Sequence, residues 1–462
     1  MRRFLLPLAA ITLSACAVLE PGYQQPTLPT PNAWPDSASV DAGAAQAALP
    51  EWRAFFADEK LTQLIELALE ENRDLRVAAL NIERARAQYG VQRAQSVPGV
   101  SAAGSGEIVG IGPNGGDDAV TRQYSAGVGI TNFELDLFGR VRSLNRAALQ
   151  RYFATADARD SVQISLIAEV ANAYLTYAGD LELLRLAQDT YESQAQSMTL
   201  TQQRFEAGAA SRLDVNRAQT IVETARADYA RYTAQVARDE NALALLLGAP
   251  VPAHLRPTAI ADVRFGVAAL PAGLPSDVLL RRPDIRGAEH NLRAANANIG
   301  AARAAFFPRI TLTGFAGEAD SQFENLFTGV SNQIWNFTPQ VSVPIFQGGA
   351  LVSGLGVANA DRDIAVAQYE RAIQVAFREV ADALATRAAI GDELAARERL
   401  ADAAGESYRL SDARYREGID NYLSLLDAQR SSYAAQQGLV AARVAQATNF
   451  VTLYKTLGGG ER

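Results

Sequence analysis

A hydrophobic residue returns every seventh position along two long stretches of this chain. Val170, Tyr177, Leu184, Tyr191, Met198 and Phe205 form one ladder, and Val215, Val222, Tyr229, Val236 and Leu243 continue it after a break. Leu426, Tyr433, Val440, Ala447 and Tyr454 form a further ladder near the C-terminus. A sustained seven-residue period predicts helices packed in coiled-coil fashion. No proline lies between 114 and 249 or after 344, so nothing breaks these helices. A helix from about 141 to 206 would run on the order of 100 Å, which suits crossing a wide space better than closing a compact core. Gly208 and Gly418 interrupt the ladders at equivalent points and predict left-handed stops between antiparallel helices. Ala381, Ala383, Ala385, Ala388 and Ala389 are small enough to let neighbouring helices approach closely.

A second pattern precedes each ladder. Residues 99–110 and 122–136 are rich in Gly, Ser and Val with weak alternation, and a polar loop, 112–118, lies between them. The later counterpart is Arg309–Phe315, then a loop with Phe323 and Phe327, then Thr338–Ile345. These predict two pairs of strands, with Pro98 and Pro308 stopping the helices before them. Four strands cannot close a barrel around a channel, whereas twelve strands from three chains can.

The chain also repeats itself. Asn72–Arg76 aligns with Arg282–Arg286, Pro98 with Pro308, Arg204–Gly208 with Arg414–Gly418, and Leu247-Gly248 with Leu457-Gly458. The offset is 210 throughout (308 − 98, for example), with one local slip to 208 at Leu137-Phe138 against Ile345-Phe346. A tandem duplication of one unit follows. The expected division is a signal segment over 1–15, an N-terminal segment over 16–58, and a first repeat over 59–249. A linker over 250–274 and a second repeat over 275–462 complete it. Strands are expected at about 99–136 and 309–346, and helical hairpins at about 140–247 and 348–457.

The N-terminus changes the picture again. Arg2 and Arg3 precede an apolar run from Phe4 to Leu13, then Leu13-Ser14-Ala15-Cys16. This reads as a secretory signal, too short to span a membrane. Its last four residues resemble a lipobox, which makes Cys16, the one cysteine of the chain, the expected site of lipid attachment. No other stretch approaches 18 apolar residues, so a membrane would have to be crossed by a closed β-barrel. A net charge of −8 argues against nucleic acid as a partner. Two histidines, His254 and His290, and one cysteine make a metal site improbable. No cofactor motif and no Walker loop is present. The acidic pair Asp117-Asp118 reads as a solvated turn, so catalysis is not expected. No binding pocket is visible in the sequence.

Several motifs then point one way. They are Glu134-Leu-Asp-Leu-Phe-Gly-Arg140, Val343-Pro-Ile-Phe-Gln-Gly-Gly349, Arg281-Arg-Pro-Asp284 and Asn421-Tyr-Leu-Ser-Leu-Leu-Asp-Ala-Gln429. With the lipobox and the duplication, their order resembles the TolC-like outer membrane factor family, in its OprM/NodT-type lipoprotein subgroup. The resemblance implies a mainly α fold with β: long antiparallel hairpins forming an α-barrel, and a homotrimer closing a 12-stranded β-barrel. It implies an outer-membrane, lipid-anchored channel for a tripartite efflux pump of the RND type. The implied partners are a periplasmic adaptor, docked at the turns of Gly208 and Gly418, and an inner-membrane pump. Leu423 and Asp427, one helical turn apart, match the family's narrowest constriction, where threefold symmetry would make an apolar ring and an acidic ring. Asp214 follows the first turn and Arg414 precedes the second, so the two could latch the tip closed or could both be solvated surface charges. A general porin would need strand signal along most of its length, and a helical scaffold would lack the strand pairs.

Overall fold

The structure is a computed structural model that describes residues 18–31, 34, 51–110, 120–266 and 276–459. Cys16 and the Asp117-Asp118 pair lie outside the described residues. After a single helical turn at Trp52–Phe55 come helices α1 (Glu59–Glu71) and α2 (Arg73–Ala94) and strands β1 (Val100–Gly110) and β2 (Val120–Leu135). The first hairpin is α3 (Arg140–Glu206) and α4 (Arg212–Leu247). The second repeat runs α5 (Pro283–Ala304), β3 (Arg309–Asp320), β4 (Asn332–Ser342), α6 (Ala350–Arg416) and α7 (Tyr422–Thr456). The hairpin helices measure 67 and 36 residues in one repeat and 67 and 35 in the other. No described helix is long and apolar enough to cross a membrane.

The chain divides into two compact units, and each draws on both repeats. The first takes in the strands and the helix segments beside them, 80–157 and 286–371, with the N-terminal residues to Thr27. The second takes in 28–79, 158–285 and 372–462. The long helices run through both, so compactness cuts across the duplication rather than between its copies.

The four strands of the first unit form one antiparallel sheet in the order β1-β2-β3-β4. Its register sorts the side chains by face, because neighbours in a strand point to opposite sides. Val100, Ile108, Val128, Ile130, Ala316, Trp335, Phe337 and Val341 fall on one face. Ser101, Ser105, Gln123, Ser125, Thr313, Asn336 and Thr338 fall on the other. The contrast is partial, since Arg122, Glu318 and Asp320 share the first face and Phe315 and Ile334 the second, and the alternation of the sequence is correspondingly weak. A bulge between Ile130 and Phe133, with Asn132 at φ 52°, adds one residue to β2. That residue keeps Phe133 and Leu135 on the apolar face and Glu134 on the polar one. Glu134 there receives Arg140 Nη2 at 2.7 Å and Arg309 Nε at 2.6 Å. The last strand begins at Asn332 and ends at Ser342, not at Thr338 and Ile345 as expected. Its first six residues pair with Gly314–Ala319, and the chain past Ser342 leaves the sheet.

The N-terminal segment is bound along the first unit. Val18 lies against Gly139, where β2 turns into α3. Arg146 pairs with Glu20 at 2.9 Å, Asn296 Nδ2 donates to Pro21 O at 2.8 Å, and the Tyr23 hydroxyl donates to Glu289 at 3.0 Å.

The second unit holds the main core. Phe55, Phe56, Leu61, Leu64 and Ile65 pack with Leu175, Leu243, Val451 and Tyr454, all buried. Burial of such side chains contributes about 1.5–3 kcal/mol each. The duplication persists in the polar contacts. Asn72 Nδ2 donates to Leu246 O at 2.8 Å near the end of α4. At the equivalent place Arg282 Nη1 donates to Thr456 O at 2.6 Å near the end of α7. Different side chains thus satisfy the same orphan carbonyl of a helix end.

Candidate gate at the hairpin tips

Both hairpins turn the same way for the same reason. Gly208 and Gly418 have φ of +76° and +74°, where a side chain is strained. Ala209 N–H donates to Arg204 O at 2.8 Å, and Ile419 N–H to Arg414 O at 2.9 Å. Gly208 N–H and Gly418 N–H reach Phe205 O and Tyr415 O, each at 3.0 Å. This double bond pattern satisfies the last carbonyls of α3 and α6. The return helices start on side-chain caps: Ser211 accepts from Asp214 N–H at 3.1 Å, and Asn421 from Ser424 N–H at 3.0 Å.

The charged tip residues are partnered within their own hairpins. Asp214 completes the capping box by accepting from Ser211 N–H at 3.1 Å and Ser211 Oγ at 2.6 Å. These bonds hold its carboxyl below the usual range. Arg414 grips Asp420 with both prongs, Nε to Oδ2 at 2.6 Å and Nη2 to Oδ1 at 3.0 Å. Arg414 and Asp214 are therefore not each other's partners within one chain. In the first repeat the position equivalent to Asp420 is Ala210 (420 − 210), so Arg204 has no acid across its turn. Its guanidinium instead lies 4.8 Å from the centre of the Tyr415 ring and bonds Arg416 O at 3.4 Å. This contact, which joins the two tips of one chain, was missed in the sequence. The 210 offset paired Arg204 with Arg414, but the missing acid at Ala210 was the usable signal.

Leu423 and Asp427 face away from the packing. Tyr422, Leu425 and Leu426 are buried with Ala218 and Tyr415 in a small core below the turns. Leu423 is 56% exposed, and Asp427 is exposed on the same side of α7. The equivalent leucine of the first repeat, Leu213, has the same exposure. Tyr422 is buried, its hydroxyl has no hydrogen-bond partner among the described residues, and burial pushes it up to about 12.

Further along the stem, Asp239 of α4 meets Asp180 of α3. Burial first, and then the Asp180 carboxyl, push Asp239 up to about 6. Between about pH 4 and 6 the folded protein therefore binds more protons than the unfolded chain, so stability falls as pH rises through that window. Melting of the detergent-solubilised protein should give a higher Tm at pH 5 than at pH 7. Asp239→Asn should shrink that difference, and an unchanged difference would show that the pair does not share a proton.

Comparison with known proteins fits this geometry. The family model described as "Outer membrane efflux protein" matches residues 64–249 and 274–459. The chain is 47% identical over 471 residues to the toluene efflux pump outer membrane protein TtgC of Pseudomonas putida, covering 100% of this chain and 96% of that protein. It is 43% identical to the outer membrane protein OprJ of Pseudomonas aeruginosa, covering 98% and 95%. Among solved structures, the open state of the MtrE outer membrane channel of Neisseria gonorrhoeae superposes with a TM-score of 0.86 at 39% identity, covering 96% and 98%.

Proposed function

The chain belongs to the outer membrane efflux protein family and is an outer-membrane channel of an efflux pump, and from that premise we propose that three copies form one passive duct. The duct receives its cargo from an inner-membrane RND-type pump through a periplasmic adaptor. It has no catalytic step of its own. Relatives named for toluene and antibiotic efflux suggest that the cargo is small toxic organic compounds.

The observation that carries the reading is the open sheet. β1 and β4 are its two edges, each 11 residues long, and neither has an outer neighbour among the described residues. Unpaired edges cannot stand in lipid, where every backbone group needs a partner. Joining β4 of one copy to β1 of the next closes three copies into twelve strands. The apolar face with Trp335 and Phe337 then meets lipid, and the Ser- and Thr-bearing face lines water. The native mass of the detergent-extracted protein should be three times that of the chain, and a stable monomer or dimer as the main species would overturn the reading.

The turns at Gly208 and Gly418 are the proposed adaptor contact, and Leu423, Asp427, Arg414 and Asp214 the proposed gate. Cys16 is the proposed lipid site. Val18 lies at the junction of sheet and helix, and the two Cα steps from it back to Cys16 reach at most about 7 Å. Acyl chains attached there would enter the membrane beside the barrel. Cys16→Ser should abolish palmitate labelling, and normal labelling would remove the assignment. Trimers should persist in that variant, because a barrel holds the membrane without a lipid.

A further inference from the structure

A groove of about 880 Å³ runs between α3, α6 and α7 in the second unit. Its helices are close-packed beneath: a Cβ on Gly179 would lie 2.5 Å from Val444 Cγ2. Two asparagines, Asn172 and Asn449, line it, and the Oδ1 atom of each is buried with no hydrogen-bond partner among the described residues. Asn449 is only 5% exposed. Its Nδ2 donates to Ala383 O at 3.0 Å, which fixes the amide, because turning it over would set two oxygens against each other. Its Oδ1 is thereby committed as an acceptor. Buried acceptors are seldom left without a donor, so two in one groove ask for N–H or O–H groups from outside the chain.

The charge of the groove narrows the donor. Asp180, Glu379 and Asp382 line it against a single base, Lys455. Arg282 engages Glu379 at 3.0 Å, and Asp382 pairs among the described residues with Arg378 at 3.9 Å, where both of those side chains are well exposed. An anion would meet these carboxylates, and a quaternary ammonium has no N–H to give. Val440 and Val444 supply an apolar wall. We propose that this groove binds small primary ammonium compounds with an aromatic or alkyl body, the ammonium donating to Asn172 and Asn449 and the body lying along α7. This goes beyond the duct reading, since it gives the protein a binding preference for one class of solute.

Binding can be read at equilibrium, so a misplaced gate would leave the result untouched. The purified full chain is titrated with 4-fluorobenzylammonium and followed by fluorine NMR. The 4-fluorobenzyl-trimethylammonium cation and 4-fluorobenzoate serve as comparisons. Saturable binding of the primary ammonium is expected, roughly tenfold or more tighter than the quaternary cation, with no saturable binding of the benzoate. Asn449→Leu and Asn172→Leu should each weaken it by about tenfold. Should those variants fail to fold, Thr176→Trp and Ala445→Trp, both at the exposed rim, fill the groove without disturbing the core and should abolish binding. Equal binding of all three probes, non-saturable uptake, or binding that survives the tryptophan variants would each overturn the proposal.

Discussion

Asp427→Ala protein in planar bilayers should lose its cation preference and most of its block by trivalent metal ions. Leu423→Ala should raise the conductance of the resting channel. Both side chains stand off the buried seam of α7, exposed on one face. Under threefold symmetry each becomes a ring. Three such carboxylates in a narrow pore would contribute charge-assisted bonds to a bound ion, so their removal should weaken block by about a hundredfold or more. The leucine ring resists wetting, and alanine leaves a wider and more polar opening. If Asp427→Ala alters neither selectivity nor block, Asp427 does not line the gate. Arg414 and Asp214 give a subtler test in the same bilayers. Each has a partner in its own hairpin, so substituting either loosens one turn. Conductance changes that simply add in the double variant would mean two local effects, while strong non-additivity would mean a latch between neighbouring chains.

Gly317→Val should abolish trimers that survive in detergent. Gly127 and Gly317 are register partners on β2 and β3. A Cβ on Gly317 would press into Ala126 O and lie 2.6 Å from Gly127 Cα, which is backbone and cannot swing aside. On the other strand, a Cβ on Gly127 would lie 2.8 Å from Phe315 Cζ, because that ring lies over Gly127 and Gly129. Valine at 317 must therefore push the strands apart and break the ladder, at a cost of at least several lost hydrogen bonds, each worth about 1 kcal/mol net. Gly104→Ala is the control, since its added methyl meets only Ser125 O at 3.6 Å. Heat-dependent mobility on gels reads both. Normal trimers in Gly317→Val would show that the strands at this point tolerate separation.

The helices were plain in the sequence because their signal is local and repeated. The ladder from Val170 to Phe205 put a helix at about 141–206, and α3 spans Arg140–Glu206. The turns followed from single glycines with nothing else to mark. Strand β4 was less legible, because Asn332, Gln333 and Asn336 look like loop until their partners on β3 show which face each occupies. The bulge at Asn132 hid the period of β2 by one residue. At the tips, Arg414 chose Asp420 rather than Asp214. The six-residue return across a left-handed glycine brings those two together, and no helical spacing rule covers that step. The groove was invisible for a simpler reason: Asn172 and Asn449 stand far apart in the chain, and only the packing of three helices brings them to one groove.

The divergence between Ala210 and Asp420 has a bearing on symmetry. Six identical copies of a single unfused repeat would ring a channel with six equal turns, which could only stiffen or slacken together. Fusing two copies into one chain let a mutation reach every second turn and no other. In the proposed trimer, braced and unbraced turns would alternate, the braced ones stapled by Arg414 and Asp420, the others leaning on them through Arg204. An opening that moves one set of hairpins while the other stays fixed becomes available to such a ring. Gene fusion, in that sense, would give such a ring a hinge and a frame from what began as one part.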